Sequence, residues 1–264
     1  MLSRENLLEK MDTERIGRNV LYLYETDSTN EYAKKAALDS PDGTLVVADS
    51  QVKGKGRLGK SWSSPHGKAI FMSIILKEHI IPENASMITI VAAIAVLKAI
   101  EGITKDAAVK WPNDIVINGK KICGILTEMK SSGMNSQYVV VGIGINVNNT
   151  EFPKDIADVA ASLYTETGIC YDRTEIICQV MKEFEKYYNI FLRDNDLSGI
   201  VEDYNRNLIN LNNQVDIISE DNVYRAESKG IDERGRLIVK RCDTGVIEKI
   251  VSGEVSVRGV YGYV

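Results

Sequence analysis

Histidine is almost missing from this chain: its 264 residues include only His66 and His79. The four cysteines, Cys123, Cys170, Cys178 and Cys242, stand far apart, and no two form a C-x-x-C pair. Together these residues build no zinc site at a familiar spacing. The cysteines read as reduced, mostly buried side chains, so the expected location is the cytoplasm. Long apolar runs are lacking too. The longest, ITIVAAIAVLKAI from Ile88, is broken by Lys98 and falls short of the roughly 18 residues a membrane span needs. The first residues, MLSRENLLEKMDTERIGRN, are charged and contain no apolar signal-peptide core. No repeat, low-complexity tract or Pro/Gly linker is present. Positive charge is not in excess either, with 32 Lys and Arg against 37 Asp and Glu and a net charge of −5. That balance argues against a protein that coats nucleic acid, although a local basic loop can still meet a phosphate.

What is present is enough apolar residue, 44%, to bury a large core. VLYLYETD alternates as a strand and ends at Ser28, where STNE fits a capping box with Glu31 three residues on. A short helix follows in EYAKKAAL, then strands in GTLVVAD and AIFMSIIL. SMITIVAAIAVLKAIEG reads as a buried helix capped by Ser86 and stopped at Gly102. AAVKWPNDIVI and KICGILTEM are joined by Asn118-Gly119, a hairpin signal, and SQYVVVGIGINV is a further strand. TEIICQVMKEFEKYYNIFLRD and LSGIVEDYNRNL are amphipathic helices. After Leu211 only short strands remain, which predicts a small β-barrel appended to an α+β domain, with the boundary near residue 210.

One stretch, GKGRLGKSW, places Gly54, Gly56 and Gly59 at the G-x-G-x-x-G spacing of a dinucleotide site. That reading requires a helix directly after the glycines, because the helix end helps hold the pyrophosphate. Here KSWSSPHGKA leads to another strand, and no G-K-[S/T] completes a P-loop. What remains is a glycine-rich loop between strands carrying Lys55, Arg57 and Lys60. It is either a solvated hairpin loop or an anion-binding loop whose backbone amides and forked guanidinium meet phosphate or carboxylate. Trp62, the Ser-Pro pair and the three glycines favour the second. A second cluster, KWPNDIVINGKKICGI, contains Lys110, Asn113, Asp114 and Lys121. Asp114 can hold magnesium through water and phosphate oxygens, and Lys121 alternates to the inner face while Lys120 faces solvent. A third, VVVGIGINVNN, ends a buried strand with Gly142, Gly144 and Asn146. Its glycines admit either a ligand or a tightly packed strand crossing.

Five segments occur together and in order: DSTNEYAK, QVKGKGRLGKSWSSP, VKWPNDIVINGKKICGIL, VGIGINVN and SGEVSVRG. As a set they resemble the biotin protein ligases, from about Asn19 to the C-terminus. The resemblance implies an α+β catalytic domain with a mixed β-sheet flanked by helices (19–210) and a small C-terminal SH3-like β-barrel (211–264), after a linker-like N-terminal segment (1–18). It implies that biotin and ATP, with Mg2+, give biotinyl-5′-adenylate, and that biotin then passes to one lysine of the biotin carboxyl carrier domain of a biotin-dependent carboxylase. No tightly bound prosthetic group is expected. By the same resemblance Ser28, Thr29, Asn30, Gln51, Lys55, Gly56, Arg57, Lys121 and Gly124 contact biotin. Arg57, Lys60, Trp62, Asn113, Asn146 and Arg258 contact ATP, Asp114 holds the metal, and Arg57 and Lys121 act on the reacting groups.

The family loop commonly reads G-R-G-R-x-G-R, whereas Lys55 and Lys60 stand here for its first and last arginines, keeping the charge and losing the fork. Only about eighteen residues precede NVLYLYETDSTN, too few for the DNA-binding winged helix of some members. The expectation is therefore a ligase that is no repressor, with neither DNA nor membrane as partner. Family members occur as monomers and dimers, so a homodimer is allowed. Competing readings are a lipoate or octanoate ligase, a non-catalytic biotin or adenylate sensor, and a transcriptional regulator. The loop together with KWPND favours biotin.

Overall fold

The computed structural model describes residues 2–56, 66–78, 80, 84–132, 135–219, 222–253, 255–260 and 262–264. Helix α1 (Arg4–Lys10) precedes strand β1 (Val20–Thr26), α2 (Thr29–Ala36), β2 (Thr44–Gln51), β3 (Ala69–Leu76) and α3 (Ala85–Ile100). Then come β4 (Ala107–Lys110), β5 (Asp114–Ile117), β6 (Lys120–Ser132), β7 (Asn135–Asn146), α4 (Leu163–Thr167), α5 (Arg173–Asp194) and α6 (Val201–Arg206). The chain closes with β8 (Gln214–Ile218), β9 (Val223–Ile231), β10 (Leu237–Arg241), β11 (Ile247–Ile250) and β12 (Ser256–Gly259).

Seven strands form one mixed sheet in the order β1-β2-β3-β7-β6-β5-β4, in which β1 and β2 run parallel and the other neighbours antiparallel. Strands β2 and β3 are apolar on both faces because both are covered. On one side α2 buries Ala33 and Ala37 against Val46, Ile75 and Val140. On the other, α3 and α5 cover Leu45, Ile70, Met72 and Val141. Helix α3 is buried around nearly its whole circumference, which is why its sequence has no polar face. The last five strands make an antiparallel sheet in the order β11-β10-β9-β8-β12, the all-β element expected after Leu211. Trp111 Nε1 ties the two sheets together by donating to the Gly235 carbonyl at 3.0 Å. Among the described residues no helix is long and apolar enough to cross a membrane.

Three local expectations need correction. AAVKWPNDIVI, in which Pro112 already argues against an ordinary central strand, is two strands: the chain reverses at Trp111–Asn113, and β4 pairs with β5 from Ala107↔Ile117 to Lys110↔Asp114. Pro112 removes a ladder donor where that reversal occurs. Helix α3 has Asn84 at its N-cap position, without a side-chain capping bond, while Ser86 sits inside its first turn. The first eighteen residues are no loose linker. Ser3 caps α1 by accepting from the Asn6 amide, and Leu2, Leu7, Met11 and Ile16 join the main core. Spaced apolar side chains in an otherwise charged stretch are what a helix laid on α5 requires.

Candidate active site

A cleft opens where the start of α2 and the end of β2 face the middle of β6 and β7. Its polar lining comes from Ser28, Thr29, Asn30, Gln51 and Asn113, its apolar lining from Phe71, Ile125, Leu126 and Ile143, and its cations are Lys55 and Lys121. Gly56, Gly124, Gly142 and Gly144 complete the walls and let the backbone approach a ligand. All the expected biotin contacts within the described residues thus converge: Ser28, Thr29, Asn30, Gln51, Lys55, Gly56, Lys121 and Gly124. Arg57, Lys60 and Trp62 lie outside the described residues. Asn146, Asp114 and Arg258 do not line this cleft. Asn146 Nδ2 donates to the Ala161 carbonyl at 3.0 Å, and Arg258 is exposed on β12.

Ser28 is the N-cap of α2, with extended backbone, yet its side chain makes no capping hydrogen bond and the expected box does not form. The reason is visible in its would-be partners. Glu31 pairs instead with Lys34 at 2.9 Å and Lys55 at 2.8 Å. Those ammoniums, Lys55 foremost, hold its carboxyl down at about 2. Gln51 from β2 serves the helix end: its Oε1 accepts from the Thr29 amide at 2.8 Å and from the Thr29 hydroxyl at 3.2 Å. The Ser28 hydroxyl, on a residue only 3% exposed, is thereby kept off the cap and at the cleft.

Asn30 is fixed more rigidly. Its Nδ2 donates to the Leu126 carbonyl at 3.1 Å and to Glu128 Oε2 at 2.8 Å, while its Oδ1 accepts from Ser73 Oγ at 2.7 Å. Glu128 also holds Lys34 at 2.5 Å, so a chain of charges runs from β6 through Lys34 and Glu31 to Lys55 at the root of the glycine-rich loop. Gly142 makes this arrangement sterically feasible, because a Cβ there would stand 2.1 Å from Asn30 Oδ1.

Lys121, the second residue of β6, has its Nζ 2.6 Å from Asp114 Oδ1. Its backbone is pinned as well: its amide donates to the Val159 carbonyl at 2.7 Å, and its carbonyl accepts from the Ala161 amide at 2.9 Å. Asp114 Oδ2 accepts from the Tyr263 hydroxyl, so each oxygen of this carboxylate already has a partner. No group of three His, Cys, Asp or Glu side chains able to hold a metal gathers among the described residues. Asp114 is thus committed to Lys121 and Tyr263 and is not grouped with other carboxylates among the described residues.

Glu128 and Tyr263 were not singled out from the sequence, and Glu31 was named only as the partner of Ser28 in a capping box. For Glu128 a signal existed, since period-two alternation from Gly124 through Leu126 puts it on the cleft face of β6. Tyr263 offered none, because its partner is 149 positions away.

The family model for biotin/lipoate A/B protein ligases matches residues 22–146, and that for the biotin protein ligase C-terminal domain matches residues 211–258. The bifunctional ligase/repressor BirA of Bacillus spizizenii is 35% identical over 262 residues, spanning 96% of this chain and 78% of its own. The biotin--[acetyl-CoA-carboxylase] ligase of Paracoccus denitrificans is 33% identical over 171 residues, 62% of this chain and 71% of its own. Among solved structures, the biotin protein ligase from Aquifex aeolicus in complex with biotin and ATP superposes with a TM-score of 0.80 at 32% identity, covering 92% of this chain and 99% of that one.

Proposed function

The chain belongs to the biotin/lipoate A/B protein ligase family, and from its site we infer that it is an ATP-dependent biotin protein ligase. It activates biotin as biotinyl-5′-adenylate and transfers the biotinyl group to a lysine of a biotin carboxyl carrier domain. The observation that carries this reading is the chemistry of the cleft. Neutral hydroxyls and amides at Ser28, Thr29, Asn30 and Gln51 suit a cyclic urea, the apolar wall suits a short alkyl chain, and Lys121 suits a carboxylate. A lipoyl or octanoyl group has no polar head to meet the Ser28 hydroxyl, and a site built to hydrogen-bond a ligand strongly disfavours an analogue that cannot.

In the first step a biotin carboxylate oxygen attacks the α-phosphorus of ATP, a new O–P bond forms, and the bond to pyrophosphate breaks. Anion meets anion, so fixed positive charge lowers the barrier. Lys121, lining the cleft with its backbone pinned on both sides, has that role, and Arg57 joins it by the family pattern. Magnesium accompanies ATP as part of the substrate and neutralises phosphate charge; no step is assigned to a metal held by the protein. In the second step the carrier lysine's amine attacks the acyl carbon, an amide forms, and AMP leaves. No covalent enzyme nucleophile is needed. Cys123, the thiol nearest the site, is buried, and its pKa is pushed well up by that burial.

The nucleotide contacts assigned to Lys60, Trp62, Asn113, Asn146 and Arg258 belong to this reading, as does a division into a catalytic domain up to residue 210 and a C-terminal domain from 211. The start of the second family match at residue 211 supports that division. The exposed free thiols Cys170 and Cys242 fit a reducing compartment, and we place the enzyme in the cytoplasm. ATP–pyrophosphate exchange with biotin, lipoate or octanoate supplied separately tests the function. Exchange with biotin alone is expected, and exchange driven by lipoate or octanoate would replace the biotin assignment.

A further inference from the structure

The segment after β12 comes back across the hairpin that carries Lys121. Val264 reaches the turn between β5 and β6, with its Cγ2 3.1 Å from where a Cβ on Gly119 would be. Its carbonyl oxygen lies so close to Gly259 that a Cβ there would be 1.7 Å away, so the crossing is tight. This path delivers the Tyr263 hydroxyl to Asp114 Oδ2. The Tyr263 ring is itself held, with the Lys110 ammonium 4.2 Å from its centroid. That ammonium also donates to the Val257 carbonyl at 3.0 Å. Lys110 and Asp114 are both buried, and Asp114 uses its other oxygen for Lys121.

We propose that Tyr263 is a positioning residue for adenylate formation, orienting the Asp114 carboxylate and through it the Lys121 ammonium. The proposal rests on the reading of Lys121 given above. A carboxylate with one partner is free to rotate and to take the ammonium with it. A second donor on the opposite oxygen fixes its plane and withdraws part of its charge, so the ammonium is aimed without being trapped. Burial and the neighbouring carboxylate push the phenol's pKa well up, so it remains a donor throughout the working pH range. The arrangement also makes the catalytic cleft depend on the segment that follows the second sheet.

The test is Tyr263→Phe, which keeps the ring under Lys110 and removes only the hydroxyl. The expected result is a fall of about tenfold in kcat for ATP–pyrophosphate exchange, the size of one hydrogen bond to a charged group. KM for biotin should stay near that of the parent protein, because the lost interaction acts on the reacting groups. In an Asp114→Asn background the same change should cost nothing further, since the two residues act in series. A chain shortened after Val260 gives a second route and should show the same loss. Unchanged kcat in Tyr263→Phe, or losses that multiply with Asp114→Asn, would overturn the proposal. Lys121→Ala run in parallel separates the premise from the inference. If that variant kept full exchange, the reading of Lys121 would fail; if it lost exchange while Tyr263→Phe did not, only the role of Tyr263 would fail.

Discussion

Alanine in place of glycine inside a β-strand ordinarily stabilises a protein by about 0.5–1 kcal/mol, because glycine loses more backbone freedom on folding. At Gly142 the opposite is expected. A Cβ there would lie 2.1, 2.7 and 2.8 Å from the Oδ1, Cγ and Nδ2 atoms of Asn30, closer than packed atoms approach, so the amide must move. Moving it breaks one bond to the Glu128 carboxylate and two neutral bonds, to Ser73 and the Leu126 carbonyl. A charge-assisted bond is worth about 1.5–3 kcal/mol and a neutral one about 1 kcal/mol. Partial re-pairing recovers some of this, so Gly142→Ala should lose about 2–3 kcal/mol of stability, or roughly 5–10 °C in Tm for a chain of this size. Because Asn30 also lines the cleft, biotin should bind at least about tenfold more weakly. Urea denaturation and titration calorimetry with biotin read both effects. Gly102→Ala is the control, since a Cβ there meets nothing within 4 Å, and it should be neutral. If Gly142→Ala were as stable as the parent protein and bound biotin as tightly, the account of Asn30 would be wrong.

Lys121→Ala should slow adenylate formation by about a hundredfold or more, the usual loss when a preorganised charge is removed from a transition state; single-turnover measurement of adenylate reads it. Glu31→Gln concerns pH. The Glu31 carboxyl is held at about 2 against an ordinary 4.5 by Lys55 and then Lys34, so its contribution to stability is full above 4.5 and is lost as pH falls towards 2. Denaturation curves between those limits should therefore fall less steeply with acid in Glu31→Gln than in the parent protein. Trp111→Phe deletes the bond to the Gly235 carbonyl and leaves a buried acceptor unpaired, at a cost of about 1–3 kcal/mol readable by calorimetry.

Much of the fold was legible because its elements announce themselves locally. The nearly continuous apolar run of β3, the long apolar helix α3 and the Asn118-Gly119 turn are each legible without tertiary information. The cleft was legible for another reason: its polar residues sit in short motifs, and those motifs fall at strand ends and a helix start that fold to one place. Sequence reasoning went astray where a distant partner decided the outcome. STNE has the residues of a capping box, but Lys34 and Lys55 draw Glu31 away and Gln51 takes the Thr29 amide. The first eighteen residues were read as linker-like from the family resemblance, whereas α1 is held by packing its apolar side chains into the main core, which seven residues cannot replace by propensity alone. For Asp114, read as meeting magnesium through water and phosphate oxygens, the unforeseen feature is its partner Tyr263, which stands at the far end of the chain.

The central claim is that this cleft makes a biotinyl adenylate and delivers it to a carrier lysine. Mass spectrometry of an apo biotin carboxyl carrier domain incubated with the purified protein, ATP, Mg2+ and biotin tests it directly. The account predicts the mass gain of one biotinyl group on a single lysine, with one AMP and one pyrophosphate released for each carrier modified and no modification when lipoate or octanoate replaces biotin. A folded protein that left the carrier unmodified, or that loaded it from lipoate or octanoate, would contradict it.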